Sequence, residues 1–337
     1  HPIERRGLIL NMPRLRHLIF CLGLSLSVGN ALTAEPVRIG VLAFQDKATT
    51  LAQWQPTAVN LAQAIANTEF QVVPLSYEEL DAAVAHQSLD FVLTNPEHYV
   101  VLRNHHKLRP MATLSQRIGE QVVTEFGSVI FSGAASNIKT LSDVAGKRVA
   151  AVGKNSLGGY LAGADILANH DIDLSNPETV RLNFLGVPHS RVVRAVLAGE
   201  ADVGIVRTGV LEQMARSSQL DLAQLRVLNR QPPTRFPQLL STDLYPEWPW
   251  AAMPNTPNTL TKAVLVALLQ IPADSAAAQA GGFQGFSVPA NYTSVEELMR
   301  RRRAYPGLAE EAIWETMWER HEETIKLVLA LVAVAVL

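Results

Sequence analysis

The residues best suited to chemistry stand in the stretch Gly146 to Gly163, Gly-Lys-Arg-Val-Ala-Ala-Val-Gly-Lys-Asn-Ser-Leu-Gly-Gly-Tyr-Leu-Ala-Gly. Arg148 to Val152 is a short run that predicts a buried strand. Gly153 breaks it, and Asn155 and Ser156 are N-cap types ahead of a helix expected over Tyr160 to His170. Gly158 and Gly159 then fall in the first turn, where the missing side chains let backbone N–H groups approach a ligand. The first N–H groups of a helix have no partner within it and the dipole is positive there, so this is chemistry for an anion. The same residue types also make an ordinary strand-to-helix turn.

Two sharper motifs are excluded. A P-loop needs Ser or Thr after Gly-Lys and another Gly six residues before that Lys. Here Asn155 follows Gly153-Lys154, and position 148 is Arg148. A hydrolase nucleophile elbow needs Gly two residues before its Ser, and Lys154 stands there before Ser156. No Rossmann glycine fingerprint fits.

Other polar groups recur in one kind of place. Asn95 and Tyr99 follow a predicted strand, Phe91 to Thr94. His189 follows Val180 to Leu185 through Gly186-Val187-Pro188. Arg207 and Thr208 follow Val203 to Val206. Ligands of open α/β sheets bind beyond the carboxyl ends of strands. A cation, a histidine donor and a helix start in such places favour an anion. Each residue also has a duller role: Asn95 as a cap, Tyr99 as core, His189 as a helix-start residue, Arg207 as a loop charge.

The elements that must position them alternate. Strands are expected at Val37 to Ala43, Phe70 to Leu75, Arg109 to Gln116, Glu125 to Ser132 and Leu225 to Asn229, besides those named. Helices are expected at Leu51 to Thr68, Glu97 to His106, Ser190 to Ala198, Thr208 to Arg216 and Thr259 to Leu269. Ser76 and Glu79 form a capping-box pattern for a helix Tyr77 to His86, and Asn95-Pro96 is a cap followed by Pro at the first helical position. Alternation predicts an α/β fold of parallel sheets with helices on both faces. The Pro-rich stretch Gln231 to Pro237 is read as a crossing between two halves.

The chain has 337 residues, enough for one large or two modest domains. A composition 48% hydrophobic and 18% charged suits a globular protein with a membrane-directed part, and a net charge of −2 speaks against a nucleic-acid partner. The one cysteine, Cys21, lies in an N-terminal apolar run. Met12, the basic Arg14, Arg16 and His17, the apolar Leu18 to Val28 and the small residues around Ala31 and Ala34 read as a leader and secretory signal peptide over residues 1–34. Without that segment no thiol is left for disulfides or metal. At the other end a polar connector over 307–324 leads into the apolar 325–337. That run is read as the start of a transmembrane helix, being shorter than the roughly 20 residues a span needs.

Five motifs together resemble the phosphate, phosphite and phosphonate class of periplasmic solute-binding proteins. Within that class the chain resembles the extracytoplasmic domains of tetrathionate-sensor-like histidine kinases. The motifs are Thr94-Asn95-Pro96-Glu97-His98-Tyr99, Asn155 to Tyr160, Gly186-Val187-Pro188-His189, Gly199 to Thr208 and Ser241 to Pro249. The resemblance implies a two-lobed type II periplasmic-binding-protein fold, each lobe a sheet flanked by helices, with the C-terminal membrane helix added. One lobe would comprise 35–130 with 235–306, the other 131–234. The ligand would lie between them. Tyr99 and Asn95 would meet it from the first lobe. Ser156, Leu157, Gly158, Gly159 and Tyr160 would form an anion cradle, and His189, Arg207 and Thr208 would add a donor, a charge and a hydroxyl. No cofactor, metal or catalytic residue is expected.

The expected function is therefore the periplasmic region of a membrane-anchored, dimeric sensor that closes on a small anionic solute. A solute-binding component of an ABC importer is the alternative. A hydrolase using Ser156 and His189 is a third reading.

Overall fold

The computed structural model describes residues 35–304, together with Pro306 and Lys326. The leader with Cys21, the connector and the apolar C-terminal run lie outside the described residues, apart from Lys326. Among the described residues no helix is long and apolar enough to cross a membrane.

The chain opens with strand β1 (Val37–Leu42), helix α1 (Lys47–Ala64), β2 (Phe70–Leu75), α2 (Tyr77–Ala85), β3 (Phe91–Leu93) and α3 (Pro96–His106). A hairpin of β4 (Arg109–Ile118) and β5 (Gln121–Val123) leads through β6 (Glu125–Phe126) into β7 (Ser128–Gly133). Next come β8 (Arg148–Ala151), a π-helical turn at Leu157–Leu161, α4 (Ala162–Ala168), β9 (Arg181–Phe184), α5 (Ser190–Leu197), β10 (Val203–Arg207), α6 (Val210–Arg216) and β11 (Leu225–Leu228). The chain then returns through β12 (Tyr245–Pro246) to β13 (Pro249–Ala252), α7 (Asn258–Leu269), α8 (Ala276–Gly281), β14 (Gly285–Ser287) and α9 (Thr293–Arg301).

These strands build two principal sheets. The first has the order β14-β4-β13-β3-β1-β2, with β5 on β4. The second has the order β11-β7-β10-β8-β9. A two-stranded ribbon, β6 against β12, lies where the chain passes between them. The all-parallel expectation is corrected. β1, β2 and β3 run parallel, as do β8, β9 and β10, but β13, β4 and β14 pair antiparallel in the first sheet, and β7 and β11 in the second. The parallel strands are the ones joined by helical crossovers. β4 and β11, which follow α3 and α6, keep that direction, whereas β13, inserted between β3 and β4, and β7, inserted between β10 and β11, enter from the ribbon strands β12 and β6 and run against it, as does β14.

Alternation along each strand sends side chains to both faces. Ile39 and Val41 pack under α1 with Trp54, Ala58 and Leu61, whereas Leu42 and Val92 pack against α2, α3 and α9. In the second sheet Val129, Phe131 and Val206 face α5 and α6, and Ile130, Ile205 and Val203 face α4. Two local signals hold as expected. Ser76 and Glu79 form the reciprocal capping box, and Asn95 caps α3 with Pro96 at its first position. Helix α1 starts earlier than expected because Asp46 caps it, and Pro56 sits inside it. The buried Trp54, Thr57, Ala58 and Leu61 hold that helix across the missing N–H. The strand expected over Glu125 to Ser132 is split at Gly127, where a Cβ would lie 2.6 Å from Leu240 and 2.8 Å from the Asp243 carbonyl.

Candidate ligand-binding site

The ends of β1, β3, β8 and β10 open on one cleft. On the first-sheet side stand Leu42, Phe44, Tyr77, Asn95 and Trp248; on the second-sheet side stand Val152, Ser156, Leu157, Gly158, Val187, His189 and Arg207. The space between them, counted out to its open mouth, is about 380 Å³. A second chamber of about 470 Å³, walled by Trp54, Leu114, Gln53 and Glu247, shares Leu42, Phe44, Arg207 and Trp248 with the first. The two are neighbours, and Arg207 lines both.

The cradle is a capped turn. Ser156 Oγ accepts from the Gly159 N–H at 3.2 Å, as the N-cap reading requires. The Gly158 carbonyl accepts from Ser128 Oγ at 2.7 Å, and the Gly159 carbonyl from the Val152 N–H at 3.1 Å. The N–H groups of Leu157 and Gly158 open the helical segment and so have no partner within it. Both glycines are sterically required. A Cβ on Gly158 would sit 2.9 Å from the Phe126 ring, and one on Gly159 would sit 2.6 Å from Ser156 Oγ.

His189 is buried at the start of α5, its ring centroid 5.1 Å from that of Phe44. Its Nδ1 accepts the Arg207 backbone N–H at 3.3 Å, so the neutral ring carries its proton on Nε2. Burial, helped by the Arg207 charge, pushes its pKa down to about 3. Arg207 lies with its guanidinium 4.3 Å from the Phe126 ring centroid and is paired through Nη2 with Glu247. Its Nε is buried without a hydrogen-bond partner among the described residues. Glu247 is 1% exposed. Asn95 keeps both roles. Its Oδ1 caps α3, while Nδ2 donates to the Tyr77 hydroxyl at 2.7 Å and to the Asn155 carbonyl at 3.3 Å. Tyr77 also donates to that carbonyl at 3.0 Å, so the two sides are tied beside the cradle.

Asn95, Ser156, Leu157, Gly158, His189 and Arg207 are thus brought together. Four expectations need correction. Tyr99 is core: it is fully buried against Tyr292, ring centroids 5.1 Å apart, and lines neither chamber. Thr208 follows Arg207 and points to the opposite side of the chain, where its hydroxyl accepts from the Gly127 N–H at 3.4 Å. Tyr160 lies edge-on to Phe184 and lines a separate cavity with Glu97, Lys154, Arg301 and Arg302. Gly159 has its N–H taken by Ser156 and serves as spacer rather than donor. Arg207 is also not a bare charge, since Glu247 neutralises it. Phe44, Tyr77, Glu247 and Trp248 were not foreseen. Phe44 lies in the loop after the first strand, the position shared by the other site residues, and that signal alone could have found it.

A nucleophilic reading finds no support in this geometry. Ser156 Oγ is a cap acceptor, His189 Nδ1 is occupied by a backbone N–H, and among the described residues no hydrogen bond joins the two. Among the described residues no cluster is placed to hold a metal ion.

The family model described as ABC transporter, phosphonate, periplasmic substrate-binding protein matches residues 39–293. The chain belongs to this phosphonate-type periplasmic binding family. It is 35% identical over 270 residues to the tetrathionate sensor histidine kinase TtrS of Salmonella typhimurium, across 80% of this chain and 44% of that protein. The chain therefore spans less than half the length of that curated relative. Among solved structures, PhnD1 of Prochlorococcus marinus in complex with methylphosphonate superposes with a TM-score of 0.63 at 16% identity, covering 80% of this chain and 98% of that one. A binding-protein component of an ABC phosphonate transporter from Pseudomonas aeruginosa superposes with a TM-score of 0.65 at 13% identity, covering 86% and 98%. At such identities the likeness speaks for the fold. It is the α/β periplasmic-binding-protein fold, with helix-flanked sheets around the cleft just described.

Proposed function

We propose that this chain is the extracytoplasmic ligand-binding region of a membrane-anchored sensor, and that a small oxyanion closes its two halves. In this reading the lobes are 35–130 with 235–306 and 131–234. The output module is a histidine kinase, as in the Salmonella relative, and the full-length protein is a dimer. Candidate ligands follow from the relatives' names, tetrathionate and phosphonates, with methanesulfonate added as a singly charged oxyanion of similar shape.

One observation carries the reading. The cleft draws its walls from both sheets, with a guanidinium, a neutral imidazole N–H and a helix start on one wall and aromatic rings on the other. A ligand touching both walls binds the closed form more tightly, and only such a difference moves an equilibrium. The test is a thermal-shift screen of the purified chain with tetrathionate, methanesulfonate and methylphosphonate. A specific binder raises the melting temperature by mass action. Arg207→Ala should abolish the shift. No shift with any of the three, or a shift that survives in the variant, overturns the reading.

Delivery of solute to an ABC importer is the second reading. It is favoured by the near-complete coverage of the Pseudomonas binding protein. The coding sequence after Leu337 separates the two: a kinase module supports the sensor, and a stop codon supports the importer component.

A further inference from the structure

Arg207 and Glu247 are the charged residues among the described walls of the two neighbouring chambers, and Arg207 lines both. They face each other as an ion pair, so the fixed charge of the cleft sums to zero. The other titratable groups lining it are His189 and Tyr77. Burial holds the imidazole neutral down to about 3 and keeps the phenol protonated.

Glu247 cannot swing aside to leave Arg207 to a ligand. Its backbone N–H donates to the Thr124 carbonyl at 2.8 Å, beside the ribbon. Its carbonyl accepts from the Tyr292 hydroxyl at 2.9 Å. Its second carboxylate oxygen accepts from the Trp248 N–H at 3.2 Å. Arg207 keeps donors to spare, because a guanidinium has five and its Nε is unpartnered among the described residues. An entering oxyanion must therefore share Arg207 with Glu247 rather than replace it. The surroundings are Leu42, Phe44, Trp54, Leu114 and Trp248, which screen charge poorly. A second negative charge there would meet a fixed carboxylate and no further cation.

We infer that Glu247 is a specificity-determining residue: by holding Arg207 in a neutral pair, it makes the cleft accept a head group with one negative charge and refuse one with two. Sulfonate and hydrogen-phosphonate heads belong to the first class, the latter donating its proton to the Glu247 carboxylate. Fully ionised phosphonate and phosphate heads belong to the second. The inference rests on the anion-site reading given above and deepens it.

Isothermal titration calorimetry of the full chain with methanesulfonate and methylphosphonate tests it, at one pH above and one below the second ionisation of methylphosphonate. Above it, the wild-type chain should bind methanesulfonate at least tenfold more tightly than methylphosphonate, and Glu247→Gln should reduce that ratio at least tenfold. In the wild type alone, methylphosphonate should bind more tightly as the pH is lowered and its monoanion forms. This arm needs no variant to fold. An unchanged ratio in the variant, or wild-type affinity for methylphosphonate that stays flat or falls as the monoanion forms, overturns the role of Glu247 and leaves the anion site standing. Failure of both probes to bind the wild-type chain overturns this inference, and the anion site falls with it only if tetrathionate also fails to bind.

Discussion

The Asp165 carboxylate accepts from the Arg301 guanidinium along two parallel hydrogen bonds, 2.9 Å from Nη2 and 3.3 Å from Nε. Asp165 lies on α4, which continues directly from the cradle turn, and Arg301 ends α9. Arg302 adds a contact at 3.5 Å. About two turns of helix thus join the residues that face the ligand to a clasp on the first-sheet side. Arg301 is half exposed, so solvent screening keeps the pair to about 1 kcal/mol. If the clasp favours the closed form, Asp165→Asn should weaken ligand binding about fivefold, since apparent affinity scales with the competent fraction. Calorimetry reads this. Affinity equal to wild type would mean that the clasp holds equally in open and closed forms.

His189 makes stability depend on pH. Its folded pKa is lowered from the usual 6.5 to about 3, chiefly by burial. The unfolded chain therefore takes up a proton near pH 6.5 that the folded chain refuses until about pH 3. The contribution is present above 6.5 and lost on acidification, at up to about 1.4 kcal/mol per pH unit. Glu97 acts in the opposite sense. Burial, with Asp81 nearby, raises its pKa to about 8, so its contribution is present below 4.5 and lost as pH rises toward 8. The two slopes oppose each other between 4.5 and 6.5. Only the difference between wild type and His189→Gln isolates the histidine. Urea unfolding at pH 6.5 and 5 should show the wild type losing about 1–2 kcal/mol more than the variant over that step. Equal losses would show that the imidazole is protonated in the folded state.

Much of the architecture was legible because its signals are local. Val37 to Ala43 is a β-branched run, Ser76 and Glu79 spell their cap, and Asn95-Pro96 spells another. The antiparallel strands were not legible. Pro249-Trp250-Ala251-Ala252 does not read as a strand by itself, and it becomes one by lying between β3 and β4, whose residues are more than a hundred positions earlier. The site divided in the same way. Ser156, His189 and Arg207 follow strands and could be placed by rule. Glu247 acquires its meaning from Arg207, forty residues away in the chain, and no local pattern announces that pairing. Tyr99 and Thr208 stood in the right segments, but which side of the segment they face depends on packing from α9 and on the Gly127 turn.

Tyr99→Phe tests one of those corrections. The Tyr99 hydroxyl is buried without a hydrogen-bond partner among the described residues, and burial raises its pKa to about 12. An unsatisfied buried hydroxyl is a cost, so its removal should leave stability unchanged or raise it by about 1 kcal/mol. Ligand affinity should not change, because the ring lines neither chamber. A loss of affinity of tenfold or more in calorimetry would return Tyr99 to the site.

Gly158→Ala tests whether the cradle and the cation are packed as one unit. The added methyl would lie 2.9 Å from Phe126 Cε2 and 3.0 Å from Cβ and Cγ of Arg207. Neither neighbour can yield easily. Phe126 is buried in the ribbon, and the Arg207 atoms are next to the backbone of a central strand. Overpacking of this kind costs about 1–3 kcal/mol. The displacement would also move the guanidinium off the Phe126 ring and away from Glu247. Denaturant unfolding should therefore show a loss of about that size, and ligand binding should weaken well beyond tenfold, because Arg207 is moved and not merely loosened. Gly146→Ala is the matched control, since no atom lies within 4 Å of a Cβ there. Its φ of +74° strains the backbone by itself, so it should lower stability while leaving ligand affinity intact. A variant at Gly158 that loses stability but keeps full affinity would separate the turn from the cation and dissolve the unit.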